Sequence, residues 1–278
     1  MADTVVAELE PGIHSITLNR PHRRNALSQG LLVELHGVFD ELTSDPAARV
    51  IVLQGEGAAW CAGADMKGGE DTEESLAGHP LGRLFSRTQG LTTRSFMAQE
   101  LMAGLFEKIH RMRIPVIAAI DGPAHGGGFA LALACDIRVA SPLATFGAVF
   151  IKRGVSSCDM GTSYLLPRFV GASRSAELLL TGRVFDAAEA DKIGLLLDVG
   201  PSEHLLERAM KTAREIASNP PLAVWMTKET MWQTIDAPSF RHALDMENRT
   251  QIMCTTTGEL SEAFAAFVEK REPSWKPL

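Results

Sequence analysis

Three consecutive glycines, Gly126, Gly127 and Gly128, stand directly before the helix-forming run Phe129-Ala-Leu-Ala-Leu-Ala134. Glycine inside a helix costs about 0.5–1 kcal/mol relative to alanine, so their placement needs a backbone reason. The start of a helix supplies one. Its first N–H groups have no partner within the helix, and the macrodipole makes that end partly positive. With no side chain in the way, a ligand oxygen can approach those groups. A second turn of the same kind, Trp60-Cys-Ala-Gly-Ala-Asp-Met-Lys-Gly-Gly-Glu70, follows another apolar strand segment. Two such turns side by side can aim two N–H groups at one oxygen, which is how an oxyanion hole is built. The plainer reading is that the glycines only let a helix pack closely on a strand. Leu131 occupies the sixth position from Gly126, where a dinucleotide fingerprint needs glycine or alanine, and GxxxxGK, GxSxG and HExxH are absent.

The elements that must carry these turns read as an α/β order. Residues 4–18 form two strands around Pro11-Gly12, with Ile13, Ser15 and Thr17 alternating against His14, Ile16 and Leu18. Leu31, Leu32, Leu35, Val38, Phe39 and Leu42 fall at helical spacing, with Ser28 as N-cap. Strands follow at 49–55, 114–123 and 136–141, with a helix at 98–111. The order strand, glycine turn, helix, strand occurs twice, about 65 residues apart. Between Gly68 and Met97 the text is acidic, glycine-rich and aperiodic, and reads as a long loop of the kind that forms a lid. Beyond residue 200 the pattern is helical, at about 202–218, 220–235, 238–253 and 258–270. This divides the chain into an α/β core over 1–200 and a C-terminal helical region over 201–278.

Composition bounds the ligand. The chain has 278 residues, 45% apolar and 22% charged, enough for a sizeable core. Aromatics are sparse at 6%, and no basic-aromatic stripe points to nucleic acid. The net charge of −7 means that an anionic ligand must meet a local cluster of cations. The longest apolar runs are about seven residues, far short of the roughly 20 that cross a membrane. The N-terminus shows no apolar signal segment and the C-terminus no Ser-Lys-Leu address. Cys61, Cys135, Cys158 and Cys254 show no paired spacing and read as free, buried thiols of a cytoplasmic protein. No metal-ligand pattern is present.

Five segments together resemble the enoyl-CoA hydratase/isomerase (crotonase) family: "NRPHRRNAL", "WCAGADMK", "IPVIAAIDGPAHGGGFALALACDIRVAS", "SYLLPRFVGASRSAELLLTGRVFDAAEADKIGLL" and "AFVEKREPSW". They occur in order and cover nearly the whole chain. The resemblance implies a spiral of ββα units with C-terminal helices that build a homotrimer or a dimer of trimers. It implies an acyl-CoA thioester as substrate, with CoA entering as part of that substrate and no separate cofactor. It also implies an oxyanion hole made by the N–H groups of Ala62 and Gly127. The family's CoA contacts map onto His22, Arg23, Arg24, Ala64, Asp65, Met66, Phe267 and Lys270, with Lys67 adding positive charge. Asp65 is also expected to cap a helix after its turn.

Two departures from the family matter. Its hydratases carry two water-holding glutamates, and the matching positions here are Ala130 and Phe150, which neither accept a proton nor orient a water. Asp159, eight residues before Pro167, has the spacing of a branch in which one acid shuttles a proton during Δ3,Δ2-enoyl-CoA or dienoyl-CoA isomerisation. The same position resembles the nucleophilic aspartate of an acyl-CoA dehalogenase branch. A 1,3-proton shift needs one base and an oxyanion hole. Alternatively, Asp159 only N-caps a helix starting near Met160. His125 reads as a turn histidine satisfied by backbone. The expectation is an enoyl-CoA isomerase using Asp159, Ala62 and Gly127. The alternatives are a hydratase with a rearranged water site, a dehalogenase-like hydrolase and a non-catalytic acyl-CoA binder.

Overall fold

A computed structural model describes residues 2–68 and 71–278. Strands β1 (Thr4–Glu10) and β2 (Ile13–Leu18) lead into helix α1 (Gln29–Ser44) and strand β3 (Val50–Gly55). Helices α2 (Glu73–Ala77), α3 (Pro80–Arg87) and α4 (Leu91–Arg111) precede β4 (Val116–Ile120) and β5 (Pro123–His125). The glycine-headed helix α5 (Gly127–Ala134) is followed by β6 (Ile137–Ala140) and β7 (Thr145–Gly147). Next come α6 (Thr162–Val170), α7 (Ala172–Thr181), β8 (Phe185–Asp186), α8 (Ala187–Lys192) and β9 (Asp198–Val199). Helices α9 (Leu205–Ala217), α10 (Pro221–Thr234), α11 (Phe240–Thr255) and α12 (Glu259–Glu269) end the chain.

The main sheet runs β1-β2-β3-β4-β6-β9, parallel apart from β1, and a small second sheet runs β5-β7-β8. Strand alternation sorts its residues onto two faces. Ile51, Leu53, Val116, Ala118 and Ile120 face a large core shared with α1, α4 and α5. Val50, Val52, Ile117, Ala119 and Val139 face Leu205, Ala209, Met210 and Ala213 of α9. Helix α9 is therefore a layer of the α/β core, and the division expected at residue 200 is corrected: α9 covers one sheet face, and the outer helices begin with α10.

The stretch 68–97 is also corrected. Among its described residues are α2, α3 and the start of α4, rather than an open loop. Unusual caps hide these helices: Thr72 and Ser75 cap α2 reciprocally, and His79 Nδ1 accepts from Leu81 N–H ahead of Pro80. Gly82, which reads as a loop signal, is demanded by packing, because a β-carbon there would stand 2.3 Å from Leu76 O.

Helix α4 is tied to α1 by His36, whose Nε2 lies 2.8 Å from Leu101 O. Burial, opposed by that hydrogen bond and reinforced by Lys108 and His79, holds the imidazole down at about 4. The unfolded chain takes up this proton below about pH 6.5, whereas the folded chain takes it up only near pH 4, so stability falls as pH drops through that window. His79, His110 and His125 are held low as well, by burial first, and act in the same direction. Urea unfolding at pH 7.5 and pH 5 is expected to show an acid loss that shrinks by about 2 kcal/mol in His36→Leu.

Candidate active site

The first glycine turn is stitched down on two sides. Cys61 N–H donates to Pro123 O at 3.0 Å, and His125 N–H donates back to Cys61 O at 3.0 Å. On the other side Leu27 N–H donates to Gly63 O at 2.8 Å, and Asp65 N–H donates to Leu27 O at 3.0 Å. The residue between those two bonds, Ala64, turns its own N–H away from Leu27, as alternation along an extended pairing requires. Ala64 is exposed, and among the described residues its N–H has no protein partner.

The second turn is fixed by Gly126, which has φ +54° and donates its N–H to Gly147 O at 2.9 Å. Gly127 then opens α5, and its N–H likewise has no protein partner among the described residues. The two free amides are neighbours. A β-carbon on Gly127 would lie 3.6 Å from Ala64 N, and one on Gly63 would lie 3.0 Å from Gly127 N. Gly128 has the packing role, since its β-carbon would fall 2.0 Å from Cys61 O. Each glycine of the triplet thus answers a separate demand: conformation, an open amide, and close packing.

One expected donor is corrected. Ala62 N–H is already bonded to Arg24 O at 3.0 Å and is closed to a ligand. Gly63, at φ +92°, breaks the extended run between Ala62 and Ala64, so the earlier amide turns inward and the later one outward. Both free amides follow directly on a glycine with positive φ, Gly63 before Ala64 and Gly126 before Gly127.

A buried guanidinium holds the first turn. Arg20, 1% exposed, donates to Ala26 O at 2.5 Å and to Asp65 Oδ2 at 3.0 Å, and pairs with Asp3. Asp65 Oδ1 accepts the N–H groups of Lys67 and Gly68 at 3.0 and 3.2 Å. Burial raises the Asp65 carboxyl, but Arg20 and the two amides outweigh it and hold the group below the ordinary range. Asp65 therefore braces a turn. It caps no helix, because the next one, α2, starts at Glu73. Asp71, missed from the sequence, reaches back to accept Gly30 N–H at 2.7 Å and Gln29 N–H at 3.2 Å, tying this loop to the start of α1.

Asp159 lies on the segment after β7. Met160 (φ +48°) and Gly161 (φ +82°) separate it from α6, which begins at Thr162 with no side-chain cap. The capping role is set aside on that geometry. Its Oδ1 accepts Met160 N–H at 2.8 Å and Gln99 Nε2 of α4 at 2.5 Å, and the residue is half-buried. The segment starts beside the second glycine turn, because a β-carbon on Gly126 would contact Phe150 and Val149 at 3.7 Å. Ala130 and Phe150, at the two positions where the resemblance expects a hydratase's glutamates, are both buried and apolar. Burial pushes the Cys61 thiol up to about 12, which removes it as a nucleophile in this turn. Cys61 and Cys135 are buried as expected for structural thiols, whereas Cys158 is exposed. His125 pairs with the Thr145 hydroxyl at 3.0 Å rather than with backbone.

Of the expected CoA contacts, Ala64 and Met66 lie on the first turn itself and Arg24 is tied to it through its carbonyl, which accepts Ala62 N–H; His22 and Arg23 precede Arg24 in the same short segment, and Arg24, Met66 and Lys67 are exposed. Phe267 and Lys270 are not brought to that turn. Phe267 is 82% exposed, and the tail after α12 is tied to Ser218 and Pro46, beyond the N-terminal end of β3. The two free amides lie past the opposite ends of β3 and β4. A separate cavity of about 720 Å³ is lined by Thr43, His110, Trp225, Trp232 and Leu278. Its cations are already engaged, Lys228 with Asp136 and Arg113 with the carbonyls of Thr43 and Ala48, so it offers no comparable site.

A family model described as Enoyl-CoA hydratase/isomerase matches residues 8–277. The Mycobacterium tuberculosis protein named "Probable enoyl-CoA hydratase EchA12" is 37% identical over 272 residues, covering 97% of this chain and 91% of its own length. The crystal structure of a probable enoyl-CoA hydratase/isomerase from Mycobacterium abscessus has a TM-score of 0.88 at 35% identity, over 99% of both chains. That of a monofunctional enoyl-CoA isomerase from M. smegmatis has a TM-score of 0.71 at 32% identity, over 87% of this chain and 98% of that one.

Proposed function

The chain belongs to the enoyl-CoA hydratase/isomerase family, with its crotonase fold, and from that premise we propose that it isomerises enoyl-CoA thioesters. The observation that carries this is the pair of adjacent amides, Ala64 and Gly127, unpartnered among the described residues, next to the apolar Ala130 and Phe150 and a segment bearing Asp159. The thioester oxygen sits between the two N–H groups. Asp159 takes a proton from the α-carbon of a 3-enoyl thioester, and the electron pair moves through the carbonyl carbon onto that oxygen. Two fixed dipoles stabilise the resulting dienolate without having to reorganise. The protonated Asp159 then returns the proton to the γ-carbon. The double bond has moved from C3–C4 to C2–C3, and the carboxylate is regenerated.

Arg24 and Lys67 on the rim supply local positive charge for the CoA phosphates of an acidic protein. Phe267 and Lys270 reach a CoA only from a neighbouring copy, consistent with the trimer that the family resemblance implies. Phe240, Ile252, Phe264 and Val268 on α11 and α12 are exposed and apolar, as a helical assembly surface requires.

The test is incubation with trans-2-, cis-3- and trans-3-enoyl-CoA in deuterated water, with products followed by mass. The expected result is conversion of the 3-enoyl to the trans-2-enoyl thioester without a change in skeleton mass beyond deuterium. A product heavier by one water assigns hydration instead, release of free CoA assigns hydrolysis, and binding without turnover assigns a binder.

A further inference from the structure

We propose that Gln99 is a positioning residue for Asp159, holding one carboxylate oxygen so that Oδ2 is the oxygen that carries the proton. This rests on the isomerase reading above. An ionised carboxylate only accepts hydrogen bonds, so the amide NH₂ of Gln99 is the end that faces it. Oδ1 receives that donor at 2.5 Å and Met160 N–H at 2.8 Å, whereas Oδ2 has no partner among the described residues.

The backbone beneath is fixed too. Asp159 N–H donates to Thr162 Oγ1 at 3.1 Å, and that buried hydroxyl donates to Ser157 O at 2.6 Å. Gln99 is itself presented from an anchored part of α4. Two residues on, Leu101 is fully buried and its carbonyl is held by His36. The carboxylate is thus clamped on one side by groups from two elements and open on the other.

The test compares Gln99→Leu, Gln99→Glu and Asp159→Asn with the parent protein, using trans-3-hexenoyl-CoA as probe and following kcat and KM separately. In Gln99→Leu kcat is expected to fall about tenfold with KM within about twofold, because the carboxylate loses its orientation and not its ligand. Gln99→Glu, which sets a like charge at the same distance, is expected to lower kcat further. Parent-like kcat in both variants, with Asp159→Asn inactive, overturns the role of Gln99 and leaves the isomerase reading standing. Parent-like turnover by Asp159→Asn overturns both.

Discussion

Asp159→Asn is expected to lower kcat for double-bond migration by about 10²- to 10⁴-fold, the usual contribution of a positioned acid–base group. Affinity for the thioester is expected to stay within about threefold, because the amide keeps the shape of the carboxylate and touches no rim residue. The fold is expected to survive the change. The interactions of Asp159 are local, with Met160 and Thr162, plus the one bond to Gln99, and α6 does not depend on it for a cap. Steady-state rates together with calorimetric titration of a saturated acyl-CoA separate the two effects. A variant with intact kcat would move the proton transfer to another group, and loss of affinity equal to the loss of rate would make Asp159 a binding residue.

The second large effect belongs to Gly63→Ala. A β-carbon there would stand 2.7 Å from His125 O and 3.0 Å from Gly127 N, and both are backbone atoms that cannot swing aside. The residue also sits at φ +92°, where an L side chain is strained. Pushing the two turns apart disables the pairing of Ala64 and Gly127. A lost donor in such a hole corresponds to a kcat loss of about 10²–10³. Strain adds about 1–3 kcal/mol of destabilisation. Gly194→Ala is the control. It shares the positive φ, +78°, but has nothing within 4 Å, so it carries the strain without the clash. Its unfolding midpoint is expected to fall while kcat stays at the parent value.

These outcomes turn on what the residues could and could not reveal in advance. The strand at 49–55 was readable as a continuous apolar run, because each face of β3 meets an apolar layer. The glycine turns were readable because so many glycines at helix starts have few explanations. Which amide of the first turn is open was not readable from residue type. Ala62 and Ala64 are chemically identical, and the φ of Gly63 decides between them. Helix α3 was hidden by Gly82, which in isolation reads as a loop and in three dimensions is the place where α2 passes closest. Helix α9 looked like the first helix of an appendage because its apolar face gives no clue to its partner, a sheet face whose contacting residues run from Ile13 to Val139. Gln99 carried no signal at all. A lone glutamine on a helix becomes informative only when the carboxylate it meets, 60 positions away in the chain, is in view.

The most direct measurement is a crystal structure with a saturated acyl-CoA bound. The thioester oxygen is expected within about 2.7–3.1 Å of both Ala64 N and Gly127 N, with Ala62 N–H still bonded to Arg24 O. A thioester oxygen held by neither amide, or by an Ala62 N–H released from Arg24, would contradict it.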